Sequence, residues 1–256
     1  MTVSAPLQTV VDYMNELLDA ASFADYCPNG LQVEGGQEVR RVVLGVSACL
    51  ALFEEAAARK ADLVLVHHGI IWKNEWPLRV VGSMRKRMGA LIDNDISLVG
   101  YHLPLDAHPE VGNNAVAAKL MQLVDVEPFG DYNGRPIGRQ GRLAEPMAPE
   151  DFAQFLAGVY QREPLHLVGS RPRIERVGMI SGGAASEYDQ AVAAGLDAYI
   201  TGEPAEWAMH RAREEGTHFY ACGHHATERL GVQALGARIA EEFNLEAEFV
   251  DLDNPV

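Results

Sequence analysis

Asp62-Leu63-Val64-Leu65-Val66-His67-His68-Gly69 reads as a short, wholly apolar strand that ends on two histidines and a glycine. A run without polar alternation suits a strand buried on both faces, as in the parallel sheets of α/β proteins. The flanking sequence agrees. Arg41-Val42-Val43-Leu44-Gly45-Val46 reads as a second strand, and Leu50 to Lys60 as a helix rich in Ala and Glu. Met84 to Asp93 reads as a further helix, and Ile96-Ser97-Leu98-Val99-Gly100 as a strand ending at Tyr101-His102. Leu7 to Leu18 has Val10, Val11, Met14, Leu17 and Leu18 on one face, which predicts an amphipathic helix. Strands alternating with helices predict an α/β fold.

The second half repeats the first. At an offset of 135 residues, Arg41-Val42 matches Arg176-Val177, and Leu44-Gly45-Val46-Ser47 falls on Met179-Ile180-Ser181-Gly182. Asp62-Leu63-Val64-Leu65-Val66 falls on Asp197-Ala198-Tyr199-Ile200-Thr201, with an Ala-rich helix, Ser186 to Ala194, between. Equal spacing without a gap favours an internal duplication over chance. The expected architecture is two similar α/β lobes, residues 1–127 and 128–256, with the segment from about residue 219 able to pack back on the first. The polar stretch Pro128 to Pro149, rich in Gly and Pro, is read as interrupting the pattern near the boundary.

The chain has 256 residues, 48% hydrophobic and 22% charged, which is ordinary for a packed globular protein. Its 21 Lys and Arg against 36 Asp and Glu give a net charge of −15. Such a surface disfavours nucleic acid and anionic membrane as partners. Cys27, Cys49 and Cys222 are scattered and odd in number, so a disulfide framework is not expected. No apolar run reaches the roughly 18 residues that cross a bilayer, nor does the N-terminus resemble a signal peptide. A cytoplasmic protein is expected.

Five of the nine histidines fall in three clusters: His67-His68, His102 with Asp106, and His224-His225 with Glu228. Each follows a predicted strand, and open α/β sheets bind ligands beyond the carboxyl ends of their strands. His102 and Asp106, and likewise His224 and Glu228, are four residues apart. Two such elements related by a pseudo-dyad would converge on one site between the lobes. Imidazoles plus carboxylates without thiolate suit Zn, Mn, Fe, Co or Ni, and carboxylates can bridge two ions. His67, His68, Asp106, His224 and Glu228 are therefore the candidate ligands of two divalent ions. Adjacent histidines on a regular strand face opposite ways, so two ions, or a turn at Gly69, would be needed to use both. Asp106 follows Pro104 and is expected in a loop, while Glu228 is expected on a helix.

Other residues are read more plainly. Cys222 is expected in the core, and His166, His210 and His218 on the surface. His108 and His225 are expected beside the ligands or exposed. Asp25 to Gln32, with Pro28-Asn29-Gly30, reads as a tight turn before a strand. Ser181-Gly182-Gly183-Ala184-Ala185 could cradle an anion but lacks the Walker lysine. Trp72, Lys73 and Trp76 could contact a ring or a phosphate, or simply pack.

These motifs resemble those of the GTP cyclohydrolase I type 2 homologue family, also called the Nif-three-like family. The resemblance rests on Asp25-Tyr26 with Asn29-Gly30-Leu31-Gln32-Val33, and on His67-His68-Gly69 with Trp72-Lys73. It continues through Tyr101-His102-Leu103-Pro104-Leu105-Asp106, Ile200-Thr201-Gly202-Glu203 and Gly223-His224-His225-Ala226-Thr227-Glu228. It implies two α/β lobes, a dinuclear metal site on His67, His68, Asp106, His224 and Glu228, and a ring-shaped homohexamer. The family name implies GTP ring opening.

The leading expectation is a metal-dependent hydrolase acting on a nucleotide-like small molecule or cyclic amide, with His102 or His225 as candidate proton carriers. The rival is a non-catalytic metal-binding scaffold or metallochaperone, marked by a closed coordination shell. A third reading is a partner-binding protein that needs metal only to fold.

Overall fold

The computed structural model describes residues 4–75 and 77–256; Trp76, read above as a possible ring or phosphate contact, lies outside them. The chain divides into two compact units. One runs to Leu105 and takes up again over Gly231–Asp253, and the other comprises Asp106–Leu230 with Asn254–Val256. The divisions at Leu105–Asp106 and Leu230–Gly231 fall inside helices, Leu103–Ala107 and His224–Phe243. Among the described residues no helix is long and apolar enough to cross a membrane.

The first unit holds a five-stranded sheet in the order Glu246–Phe249, Arg41–Ser47, Leu63–His68, Ser97–Gly100, Gly30–Val33. The first four strands run parallel and the last antiparallel. Leu63, Val64, Leu65 and Val66 are all wholly buried, as an apolar run without alternation requires. The helices Leu50–Ala58 and Gly82–Ile92 supply Leu52, Phe53, Ala56 and Leu91 to a core with Val43, Val64, Val66 and Leu98. The helix Leu7–Leu17 buries Val10, Val11 and Met14, as its periodicity predicts.

The second unit holds a six-stranded sheet in the order Val124–Tyr132, Arg135–Met147, Ile174–Met179, Ala198–Thr201, His218–Ala221, Leu165–Leu167. Its three strands from Ile174–Met179 to His218–Ala221 are parallel, and the flanking pairings are antiparallel. Side chains alternate between two cores. Ala198, Ile200 and Tyr220 join Phe152 and Leu156, while Tyr199 and Phe219 join Tyr188 and Ala191. Cys222 belongs to the first of these cores, as expected.

Each unit fixes strand register with one aspartate. Asp62 Oδ2 accepts the amides of Arg40 and Arg41 at 2.8 and 2.9 Å. Asp197 Oδ2 accepts those of Glu175 and Arg176 at 3.0 and 2.8 Å. The pairings Val42↔Leu63, Val43↔Val64 and Leu44↔Leu65 have counterparts in Val177↔Ala198, Gly178↔Tyr199 and Met179↔Ile200.

Three expectations are corrected. The stretch Pro128 to Pro149 is not a break. It is most of an antiparallel hairpin, whose strands pair Tyr132 with Arg135 around Asn133-Gly134. Those two residues have φ of 53° and 83°, the positive pair that a tight two-residue hairpin turn demands. Asp106 lies in the short helix Leu103–Ala107 rather than a loop, because Pro104 sits in its first turn, where no intrahelical amide is lost. His218 is buried, not on the surface, and His166 is half-buried beside it.

His218 Nε2–H donates to Arg171 O at 2.9 Å, so its Nδ1 accepts from His166 Nε2 at 2.8 Å and from Gly169 N at 3.2 Å. Burial, and then the neighbouring His218, push His166 down to about 4. Unfolded, an imidazole binds its proton near 6.5, so between these values the unfolded chain holds more protons than the folded one. Stability is therefore predicted to fall as pH drops from about 6.5 towards 4. The urea midpoint of His166→Gln, which keeps an N–H donor, should depend less on pH over that window. Equal slopes for the two proteins would contradict this.

Candidate metal centre

In the first unit three parallel strands deliver their carboxyl ends to one place. Ser47 closes Arg41–Ser47, His67 and His68 close Leu63–His68, and His102 comes just after Ser97–Gly100. One ring nitrogen from each of His67, His68 and His102 lies within 4.8 Å of the others. The His67 and His68 rings are 4.8 Å apart by centroid and tilted by 49°, so the adjacent pair does converge. Gln32 braces the turn after them. Its Oε1 accepts Ile70 N at 2.8 Å, and its amide lies where a Cβ at Gly69 would fall, 2.1 Å away. A side chain at Gly69 would push the Gln32 amide out of this brace.

Each imidazole has its Nδ1 engaged. His67 Nδ1–H donates to Tyr101 O at 2.9 Å, and His68 Nδ1 meets Ser47 Oγ at 3.0 Å. His102 Nδ1 meets Asp25 Oδ1 at 2.9 Å. The carbonyl and the carboxylate take Nδ1–H, so Nε2 is the acceptor nitrogen of His67 and His102 and the one that could meet a cation, while the Ser47 hydroxyl, able to donate or accept, holds the His68 ring through Nδ1. Asp25 is itself held by Asn29 Nδ2 and Leu103 N on Oδ2, at 3.1 and 3.0 Å. Burial raises the Asp25 carboxyl, but the His102 bond and charge outweigh it, with help from Asn29 and Leu103, and bring it down to about 2. Asp25, Cys27 and His102 also bring donor atoms within 4.8 Å of one another. That trio suits a cation poorly. Asp25 and His102 are bonded to each other, and burial followed by the Asp25 charge pushes the Cys27 thiol up to about 12.

The second unit repeats the arrangement with carboxylates. Ser181, Glu203 and His224 come just after the ends of Ile174–Met179, Ala198–Thr201 and His218–Ala221. Glu203 Oε1 meets His224 Nδ1 at 2.5 Å, and His224 Nε2 meets Glu228 Oε1 at 3.2 Å, one helical turn on. Burial lowers the His224 imidazole, but the bonds and charges of Glu228 and Glu203 prevail and hold it up at about 9. Asp106, buried, has Oδ1 bonded by Asn113 Nδ2 at 2.9 Å and by Ser181 Oγ at 2.8 Å.

Gly182 forms the floor of this set. It has φ +68°, and a Cβ there would lie 2.2 Å from Glu228 Oε1 and 3.1 Å from His224 Nε2. Its amide donates to Thr227 Oγ1 at 3.0 Å, and its carbonyl accepts Gly202 N at 2.8 Å and Glu203 N at 3.1 Å. The 181–185 loop therefore seats carboxylate side chains of the protein itself.

Clusters of His, Asp and Glu that could bind a metal are thus present. The donors fit a divalent transition ion. They are imidazole nitrogens and carboxylates with their far sides tied to other groups, and in the second unit His224 and Glu228 sit beside a cradle at Gly182 that a single methyl would fill. Sequence reading named His67, His68, Asp106, His224 and Glu228, with His102 as a proton carrier. The first unit brings together His67, His68 and His102, and the second brings together His224 and Glu228. The other candidate, His225, is buried with its amide on Val256 O, and belongs to none of the donor groups of the described residues. His108 instead accepts the amides of Glu110 and Val111 on Nδ1. Sequence reading did not single out Ser47, took Ser181 and Gly182 only as a possible anion cradle, and met Asp25 and Glu203 only within the motifs of the resemblance. The polar residues at or just past the end of each parallel strand are a signal that would have found three of them.

Gly182→Ala should destabilise the protein by about 1–3 kcal/mol, from the left-handed backbone and the collision with Glu228. Gly183→Ala is the control, because its Cβ would meet nothing nearer than 3.7 Å, and should change stability by no more than about 0.5 kcal/mol. Urea unfolding compares them, and equal effects would contradict the cradle.

Comparison with known proteins identifies the family and the fold. A model of the family described as Duf34/NIF3 (NGG1p interacting factor 3) matches residues 5–255. A Pseudomonas aeruginosa protein named GTP cyclohydrolase 1 type 2 homolog is 51% identical over 249 residues, 97% of this chain and 98% of that one. Among solved structures, protein ybgI, described as of unknown function, is similar with a TM-score of 0.93 and 42% identity, covering 98% of this chain and 100% of the other. TTHA1606 from Thermus thermophilus gives a TM-score of 0.91 and 32% identity, again covering 98% of this chain and 100% of the other. By sequence match over nearly its whole length and by fold, the chain belongs to the Duf34/NIF3 family.

Proposed function

We propose that His67, His68, Asp106, His224 and Glu228 together hold two divalent ions, and that the protein is a metal-dependent hydrolase acting on a nucleotide-like substrate. The observation that carries this reading is the engagement of Nδ1 in all four imidazoles, His67, His68, His102 and His224, which leaves Nε2 as the nitrogen that could meet a cation. Chain connectivity supports joining the two sets. Asp106 is the first residue of the second unit, four after His102, and Glu228 lies three residues before the chain returns at Gly231. Matched register and the paired aspartates Asp62 and Asp197 support descent of the two units from one duplicated ancestor. The relatives' printed name supports a nucleotide-like substrate.

Ions bound here would supply Lewis-acid polarisation and an activated water near neutral pH. The protein's own groups do the rest. Asp106 and Glu228 offset the ions' charge, and Ser181 and Asn113 hold Asp106 in one orientation. Glu203 and Ser47 hold the rings of His224 and His68. His102, its Nδ1–H given to Asp25, presents Nε2 as the proton acceptor beside His67 and His68. The reading includes a cytoplasmic homo-oligomer, a hexamer by family resemblance.

Metal analysis together with a turnover screen of GTP, other nucleotides and a chromogenic phosphodiester tests this. The wild type should carry two ions per chain and turn over one of these substrates. Glu228→Ala should lose at least one ion and reduce turnover by about a hundredfold or more. Turnover at the full rate in Glu228→Ala would remove the mechanism. Two ions with no turnover of any substrate would favour the non-catalytic scaffold.

A further inference from the structure

Beside the three imidazoles the first unit has an open cavity of about 750 Å³, the size of one small organic molecule. Trp72 and Asp25 belong to both features. They line the cavity, Asp25 bonds His102, and the Trp72 ring lies 5.4 Å from that of His102 and 5.9 Å from that of His68. The rest of the wall divides by chemistry. Phe23, Ile71 and small alanines such as Ala20 give it apolar surface. The indole is fixed by its Nε1–H, which donates to Gly69 O at 3.0 Å.

The side-chain polar groups that can meet a ligand are donors. Asn15 Oδ1 accepts the Tyr101 hydroxyl at 2.7 Å, which leaves its Nδ2, without an acceptor among the described residues, for the cavity. Lys73 is anchored at both ends. Its amide donates to Tyr26 O at 2.8 Å and its ammonium to Asp25 O, and two further ammonium protons remain. The acceptors are committed elsewhere. Asp25 Oδ1 and Oδ2 serve His102, Asn29 and Leu103, and Asn29 Oδ1 takes His102 N at 2.8 Å.

We infer that this cavity holds the planar, non-reacting part of the substrate: a heterocycle packed on Trp72 whose edge offers carbonyl or ring-nitrogen acceptors to Lys73 and Asn15. The inference rests on the hydrolase reading above, with the reacting end of the same molecule extending past Trp72 to the imidazoles. Binding remote from the reacting atoms is a common source of rate and selectivity. A pair of donors discriminates, because a ligand that offers its own donor there covers N–H groups without giving them an acceptor.

Inosine, adenosine and ribose serve as probes, because the two nucleosides share a ring area and differ in the edge they present. Ligand-observed NMR titrations use the full chain, metal-free and zinc-loaded. Inosine should bind both forms alike, adenosine about tenfold more weakly, and ribose not at all. Trp72→Leu should weaken inosine by about tenfold or more, and Trp72→Phe should restore most of it. Lys73→Met should bring inosine to the level of adenosine, and zinc content should be unchanged in all three variants. Failure of inosine to bind, equal binding of the two nucleosides, or full binding by Trp72→Leu would overturn the assignment. Inosine binding by a protein that takes up no zinc would support the cavity and sink the metal reading alone.

Discussion

The candidate metal-binding groups of each unit depend on what happens at the far side of each histidine ring. A neutral imidazole has one donor and one acceptor nitrogen, and a bond that Nδ1–H donates to a carbonyl or carboxylate decides which is which. The four partners are unlike one another: a backbone carbonyl at Tyr101, the Ser47 hydroxyl, and the carboxylates of Asp25 and Glu203. Tyr101, Ser47 and Glu203 are placed at or just past the carboxyl end of a parallel strand, and Asp25 by the loop before Gly30–Val33, held by Asn29 and Leu103. The rings are held by the protein's own groups, so little ordering would remain for the binding of a cation.

The fold supplies that placement with local rules. Strands buried on both faces cannot slip register without moving polar atoms into the core. Asp62 and Asp197 add a second constraint, each tying the start of its own strand to the start of the neighbour. Glycine makes room where side chains reach the strand ends. Gly69 admits Gln32, and Gly182 admits Glu228. A β-carbon at either position would displace a residue that braces or forms one of these groups.

Much of this was legible in the sequence. Leu63 to Val66 is apolar without alternation, and His67, His68 and His224 come at or just after strand ends, so both strands and candidate ligands carried a local signal. The α/β class and the family emerged from them. The partners of the ligands did not, because Asp25 acts on a ring 77 residues away, and Ser181 on a carboxylate 75 residues away. Neither spacing has a motif. The hairpin around Asn133-Gly134 did carry its usual signal, obscured by the glycines and prolines within both strands. Buried His218 was misread because its strand is short and polar at one end, and its burial rests on contacts with Gly169 and Arg171. The passages between units at Leu105–Asp106 and Leu230–Gly231 fall inside helices, where composition leaves no mark.

Anomalous diffraction at the zinc edge, from crystals grown with zinc, reads the central claim directly. Two peaks about 3.5–4 Å apart are predicted, with Nε2 of His67, His68 and His224 about 2.0–2.1 Å from the nearer one. Ligation through Nδ1, or no peak near these rings at saturating zinc, would contradict it.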